Sequence, residues 1–511
     1  MLPAVDGLFF DIVHALDCSC RYCQEGMRQA GLEPSRESDR KAFGRRVLEE
    51  WIQEMSAFVR SFDPEVTIFY NAGHVGPSHR SVADAYTHWE IESLPSGGWG
   101  YLHFPIAIRY ARTLKRESLG MTGKFHTSWG DFHSFKNRAA LEFECFQMLA
   151  HGAKCSVGDQ LHPRGRICPV TYELIGSVYR QVEEKEPWCA GATPVAEIAV
   201  LTPEEFTGER IPAPSAGATR ILQEGRHQFD FVDTSADLSP YRVAILPDGI
   251  PVTGALGEKL RAFLNAGGAI LASHRSGLTP EGDAFALPEW GVRYLGEAPY
   301  SPDFILPSGA IGEGLPETEH VMYLRASHVR ATQGTEVLAE TIVPYFNRTY
   351  AHFCSHRHTP SSGQRGYPAI TQRGSVIYFA HPIFTQYHEN APRWCRMLVL
   401  NALRRLLPQP LLQVNGPTTL IATLTAQETE NRWIVHLLHY VPERRGSRFD
   451  VIEDVIPIYD IAVQVRTLRP VESVRCVPEG RTLSYQSAGG AVQFTVPEVV
   501  GHQMVELSFR E

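Results

Sequence analysis

From residue 6 to about residue 190, short apolar runs alternate with longer stretches in which apolar positions recur at helical spacing. The runs Asp6–Val13, Val66–Asn71, Thr87–Glu92, Met121–Ser128 and Ala153–Asp159 predict strands. Asp39–Phe62, Phe104–Arg116, Asn137–His151 and Thr171–Lys185 predict helices between them. Strand, helix, strand implies parallel pairing through right-handed crossovers. The expectation is an α/β fold that begins with about five β/α units of a TIM-type barrel, a fold that needs eight when complete.

The pattern changes past Pro187–Pro194. Apolar runs at Glu197–Leu201, Phe229–Asp233, Val243–Leu246, Ala269–Ser273 and Ser375–Ala380 alternate with helical stretches at Ala216–Glu224, Leu256–Ala266 and Ala391–Leu406. This predicts a Rossmann-like α/β layer domain. Pro408 and Pro410 mark the next break. Short alternating runs then follow at Thr418–Thr425, Trp433–Tyr440, Val474–Cys476, Val492–Val496 and Met504–Phe509, which suits a β-sandwich. The expected domains are therefore 1–190, 191–408 and 409–511, with no internal repeat.

Polar side chains gather just after the apolar part of each early strand: Asp11, Asn71, Glu92, His126 and Asp159. Chemistry at the C-terminal ends of parallel strands is the habit of barrels and of open doubly wound sheets. Period two places His88, Glu90 and Glu92 on one face of a strand. Ionisable groups crowded into an interior need partners or substrate. The adjoining Pro95–Tyr101 loop carries Trp99 among glycines, and an aromatic on a flexible loop suits stacking on a sugar ring. Lys124–Asp131, with His126 and Trp129, and Gly158–Pro163, with Asp159 and His162, close their strands in the same polar-aromatic manner. Taken singly, each of these residues also fits a turn, a cap or a satisfied core position.

Cys18, Cys20 and Cys23 form a C-x-C-x-x-C cluster after the first strand. Three close thiolates suit a structural zinc, with His14, Asp17 or a distant group as the fourth ligand. The other Cys are scattered, so the ten in all make no disulfide scaffold, and a reducing cytoplasm is the expected compartment. In the middle domain, Ala272–Gly277 lacks a nucleophile elbow, and there is no glycine-rich phosphate loop. Association is the job that remains for it.

A formal charge of -9 argues against nucleic acid as a partner, and an uncharged sugar needs no steering charge. No apolar run reaches bilayer length, so no membrane span is expected. Met1–Ala4 offers no basic leader, and Asp6 and Asp11 interrupt the apolar stretch that follows.

Asp6–Val13 with its Cys cluster, Gly120–Gly130 and Ser156–Pro163 together resemble the bacterial α-L-fucosidases of glycoside hydrolase family 151, and the likeness runs on to Lys185–Trp188. The two later domains resemble the trimerisation and C-terminal domains of family 42 β-galactosidases, which carry a comparable Cys cluster just after their fourth barrel strand. The resemblance implies that Asp6–Val13 corresponds to a fourth barrel strand, and that three further units precede Met1 in such relatives. It implies retaining hydrolysis of terminal fucose from an oligosaccharide or glycoside without a catalytic cofactor, with a structural zinc and a homo-oligomer, a trimer among the options. Asp11 is then the nucleophile and Glu92 the acid/base, with Glu90 in reserve. His88, Trp99, His126, Trp129, Asp159 and His162 would hold the sugar. A β-galactosidase-like exo-glycosidase and a non-catalytic sugar-binding scaffold are the alternatives.

Overall fold

The computed structural model describes residues 5–510; the Met1–Ala4 segment read for a leader lies outside them. Five short parallel strands open the chain: β1 (Gly7–Phe10), β2 (Thr67–Tyr70), β3 (Trp89–Glu92), β4 (Ser118–Gly123) and β5 (Lys154–Gly158). β1 pairs with β2, and β3, β4 and β5 pair in sequence order. Thr87 links the two sheets, its N–H donating to Ile68 O at 3.0 Å. All five strands therefore end on the same side.

Five helices connect or follow these strands: α1 (Arg21–Gln29), α2 (Glu37–Arg60), α3 (His103–Ala111), α4 (Arg138–Ala150) and α5 (Pro169–Lys185). Every residue of α3 is buried, and so is nearly every residue of α4. A helix buried all round has protein on all its sides. One face of α3 joins the core of β2 and β3, through Phe104, Ala107, Ile108 and Ala111. Its other face, with Ile106 and Tyr110, enters the core of the middle domain. In the same way α4 shares a core with Leu438, Tyr440 and Ile452 of the last domain.

Two expectations need correction. The strand expected at Met121–Ser128 lies instead at Ser118–Gly123. Gly120 explains the shift, because a Cβ there would stand 2.4 Å from Met148 Cγ and 2.8 Å from Phe104. The bare glycine lets α3 and α4 close on the strand, while Phe125 is buried in the following loop. The Cys cluster, expected in a loop, runs into α1, a mostly polar helix that buries only Met27.

The middle domain is a nine-stranded mixed sheet. Its parallel half runs 376–379, 269–273, 243–246, 198–201 and 229–232, as the apolar runs foretold. Four antiparallel strands extend it through 361–373, 336–344, 303–307 and 320–322. Residues 411–509 form two packed antiparallel sheets around an aliphatic core. Thr193–Pro194, on the connection between the first two domains, adds a two-residue strand to the six-stranded sheet of this sandwich. Among the described residues no helix is long and apolar enough to cross a membrane.

Candidate active site

The chain leaves β1 sharply. Ile12 sits at φ 54°, in the left-handed region that β-branched residues rarely adopt, and this turn sets Asp11 at the strand's end. Asn71 follows β2 in register, its N–H donating to Phe10 O at 2.7 Å. Its side chain gathers the site. Asn71 Nδ2 donates to Asp11 Oδ1 and to Glu92 Oε2, each at 2.9 Å, while its Oδ1 accepts from Gly73 N at 3.0 Å. The two carboxylate oxygens can therefore be no farther apart than twice that 2.9 Å.

Trp89 and Ile91 of β3 point into the core, so Glu90 and Glu92 share the other face, as period two requires. Glu92 is at the rim beside Asp11. Glu90 lies one pleat lower and is engaged by His88, whose Nε2 is 2.9 Å from Oε1. Trp99 stands over Gly73, where a Cβ would come within 2.7 Å of its ring, and its edge meets His103 at a centroid distance of 4.8 Å. Asp11, Glu92 and Trp99 are thus placed around the Asn71 loop, with Glu90 and His88 lower on the same strand face.

The remaining expected sugar-binding residues lie in the loops that follow β4 and β5. Trp129 donates from Nε1 to Gln160 Oε1 at 3.1 Å and packs edge-on against Phe125. Lys124 Nζ lies 3.8 Å from Asp159 Oδ1. His126 faces away, its ring 5.6 Å from Phe449 of the sandwich. His162 lies farther out, near Phe132 and His133, and accepts a hydrogen bond from Arg164 N. Nothing joins any of these four to the carboxylate pair among the described residues.

Sequence reasoning noted Asn71 as polar but gave it no role. A glycine two residues after an Asn signals a local turn, and here that turn aims the amide at both carboxylates. A cavity of about 1320 Å³ lies elsewhere, lined by Ser118, Lys154, Arg112 and Asp230 at the opposite ends of the strands. It holds neither Asp11 nor Glu92.

The Sγ atoms of Cys18, Cys20 and Cys23 lie within 4.8 Å of one another. Thiolates at about 2.3 Å from a tetrahedral zinc stand nearly 4 Å apart, so the cluster fits that ion with three ligands. Cys20 is lowered to about 7, first by the Cys23 N–H and then by the Cys18 and Cys23 thiols, whereas Cys18 and burial push Cys23 up to about 12. Asp17, one of the expected fourth ligands, is instead paired with Arg40 at 2.6 Å.

Comparison with known proteins adds the relatives. Residues 220–404 match the model of the β-galactosidase trimerisation domain. The chain is 40% identical to α-L-fucosidase isoenzyme 2 from Paenibacillus thiaminolyticus, over 99% of this chain and 78% of that one, with a TM-score of 0.95. A β-galactosidase from Rahnella sp. R3 aligns over 99% of this chain and 78% of its own at 15% identity and a TM-score of 0.67. A β-galactosidase from Bacillus circulans sp. alkalophilus aligns over 92% and 68% at 16% identity and a TM-score of 0.65. These two distant neighbours share the fold. No curated protein matches the sequence.

Proposed function

Because this chain belongs to the α-L-fucosidase family that includes isoenzyme 2 of Paenibacillus thiaminolyticus, we propose that it is a retaining glycosidase that releases terminal α-L-fucose from oligosaccharides or glycosides. The observation that carries the reading is the Asn71 amide, which holds Asp11 and Glu92 side by side at the ends of separate strands. Retaining enzymes need two carboxyl groups about 5–5.5 Å apart. The bridge imposes a limit compatible with that spacing. We read the five parallel strands as part of a (β/α)8 barrel whose C-terminal end presents the pair.

In the first step Asp11 attacks the anomeric carbon as the glycosidic bond breaks, and Glu92 gives its proton to the leaving oxygen. Glu92, now a carboxylate, then takes a proton from water, whose oxygen displaces Asp11 from the sugar. Free fucose leaves, and both carboxyl groups return to their starting states. Asn71 holds Asp11 in line and leaves Glu92 Oε1 outside its own bond, available to the leaving group. Glu90, paired with His88, serves as the reserve acid. His88, Trp99, Trp129 and Asp159 would contact the sugar, whereas His126, against Phe449, and His162, near Phe132, stand apart from the carboxylate pair.

The expected result is one preparation that runs as a trimer by light scattering and cleaves an aryl α-L-fucoside in preference to aryl β-galactoside, α-galactoside and β-glucoside. Preference for the β-galactoside would replace the fucosidase reading with the alternative one. Turnover of none would leave a sugar-binding scaffold.

The cysteine cluster would hold a structural zinc through Cys18, Cys20 and Cys23, bracing the loop that follows Asp11. No catalytic step needs it. About one zinc per chain is expected by mass spectrometry of the purified protein, lost in the Cys20→Ser variant. Metal-free protein whose melting temperature ignores added zinc would remove this site.

A further inference from the structure

The Asn71 loop is not held by the strands alone. Two side chains from the middle domain reach across to it. Glu204, on the four-residue helix Glu204–Thr207, places both carboxyl oxygens 2.9 and 3.0 Å from His74 Nε2. Arg210 Nη1 donates to Ala72 O at 2.8 Å. We infer that Glu204 and Arg210 are positioning residues of the proposed glycosidase, clamping the segment from Ala72 to Gly76 so that Asn71 holds Asp11 and Glu92 at working separation.

Three observations carry this. The contact is buried, with the His74 side chain 4% and that of Glu204 13% exposed. It is also close enough to dictate sequence, since a Cβ on Gly76 would lie 2.1 Å from Glu204 Oε1. And the loop has nowhere to go on its other side, where Trp99 covers Gly73 and His79 Nδ1 accepts from Gly76 N at 3.1 Å. The middle domain thus does more than associate chains: it closes over the far end of the loop that carries the carboxylate bridge.

The pair also has a working pH range. Facing Glu204 are His74 from the loop and Arg210 from its own segment, while His79, from the turn after the loop, and His103, from α3, flank His74. Burial raises the Glu204 carboxyl to about 8 against the opposing pull of Arg210, and lowers His74, His79 and His103 each to about 3. Burial thus favours the uncharged form of both partners in this contact. A carboxyl whose pKa rises on folding gives stability that is complete below its ordinary value and is lost as pH climbs through the folded one. Here the loss runs from the ordinary carboxyl value of 4.5 up to about 8, above which no more is lost.

The proposal rests on the fucosidase reading for its kinetic arm, and on hydrogen exchange for an arm that needs no turnover. Glutamine is the neutral mimic of the protonated carboxyl and alanine removes the contact, so Glu204→Gln and Glu204→Ala are compared with the full chain. Misplacement of reacting groups by about an ångström costs up to a hundredfold. Glu204→Ala is expected to lower kcat on an aryl α-L-fucoside by about ten- to a hundredfold with KM changed far less, and Glu204→Gln to restore most of it. Amides of residues 71–76 should exchange faster in Glu204→Ala at every pH. In the parent protein they should loosen, after correction for intrinsic rates, as pH rises toward 8 and level off above it, and in Glu204→Gln that climb should be absent. Exchange of the loop unaltered by Glu204→Ala, or a climb toward pH 8 that persists in Glu204→Gln, overturns the inference whether or not any fucoside is cleaved. A parent chain that cleaves no fucoside yet shows the expected exchange keeps the clamp and rejects the fucosidase reading.

Discussion

Asp11→Asn is expected to reduce turnover of an aryl α-L-fucoside by about a thousandfold or more, which is roughly 4 kcal/mol at 1.36 kcal/mol per decade. The reason is chemical and not steric. An amide oxygen is a poor nucleophile toward the anomeric carbon, so the glycosyl–enzyme step has no route of comparable rate. Asparagine keeps the size of aspartate, and its own Oδ1 still accepts from Asn71 Nδ2, so the loop geometry and the melting temperature should change little. KM should also change little, because the loss falls on the transition state. Parent-like kcat in Asp11→Asn would take the nucleophile's role from this residue. Glu92→Gln provides the contrast: an acid is needed most by a poor leaving group, so its loss should be severe for a natural glycoside and milder for an activated aryl one.

Much of the first domain is legible from the sequence because its strands are short apolar runs that end in polar residues. Val66–Asn71 and Ala153–Asp159 stand out that way, and β2 and β5 fall within them. What the pattern misses has physical causes. The strand 361–373 reads Ser-Ser-Gly-Gln-Arg-Gly-Tyr-Pro-Ala-Ile-Thr-Gln-Arg, and only its later part is buried, so it shows no apolar run until Ala369 and Ile370. Its pairing with 336–344 is broken by repeated register shifts, which scramble alternation. The candidate site was legible as separate residues at strand ends. Its joining was not, since the Asn71 bridge spans 60 residues to Asp11 and the Glu204 contact spans 130 to His74. Pairings of that range depend on how the strands order and how the middle domain docks, and a single sequence contains neither. The same limit explains why His126 could be placed at a strand end but not seen to turn toward Phe449.

Beneath the site, the strongest single stability effect is expected at Lys136. Its Nζ lies 2.5 Å from Glu144 Oε2 on α4 and donates to Thr122 Oγ1 of β4 at 3.0 Å. Thr122 Oγ1 in turn donates to the same Glu144 oxygen. Both charged side chains are only 3% exposed, so water does little for either. Backbone reinforces the link, since Lys136 N donates to Lys124 O at 2.8 Å, just past the end of β4. Removing one partner of a buried ion pair leaves the other charge uncompensated and costs about 3–5 kcal/mol, far more than a surface pair is worth. Lys136→Met keeps the length of the side chain and removes its charge, so the penalty should appear as a large fall in the denaturant midpoint of the transition that includes α4 and β4. Replacing both members by apolar residues of similar volume often restores stability. The double variant Lys136→Met, Glu144→Leu should therefore recover most of the loss, a coupling that additive contributions would not produce. A Lys136→Met midpoint within about 1 kcal/mol of the parent would mean that the pair is as weakly coupled as an exposed one, and that β4 is fastened to α4 by apolar contacts such as Gly120 against Met148 alone.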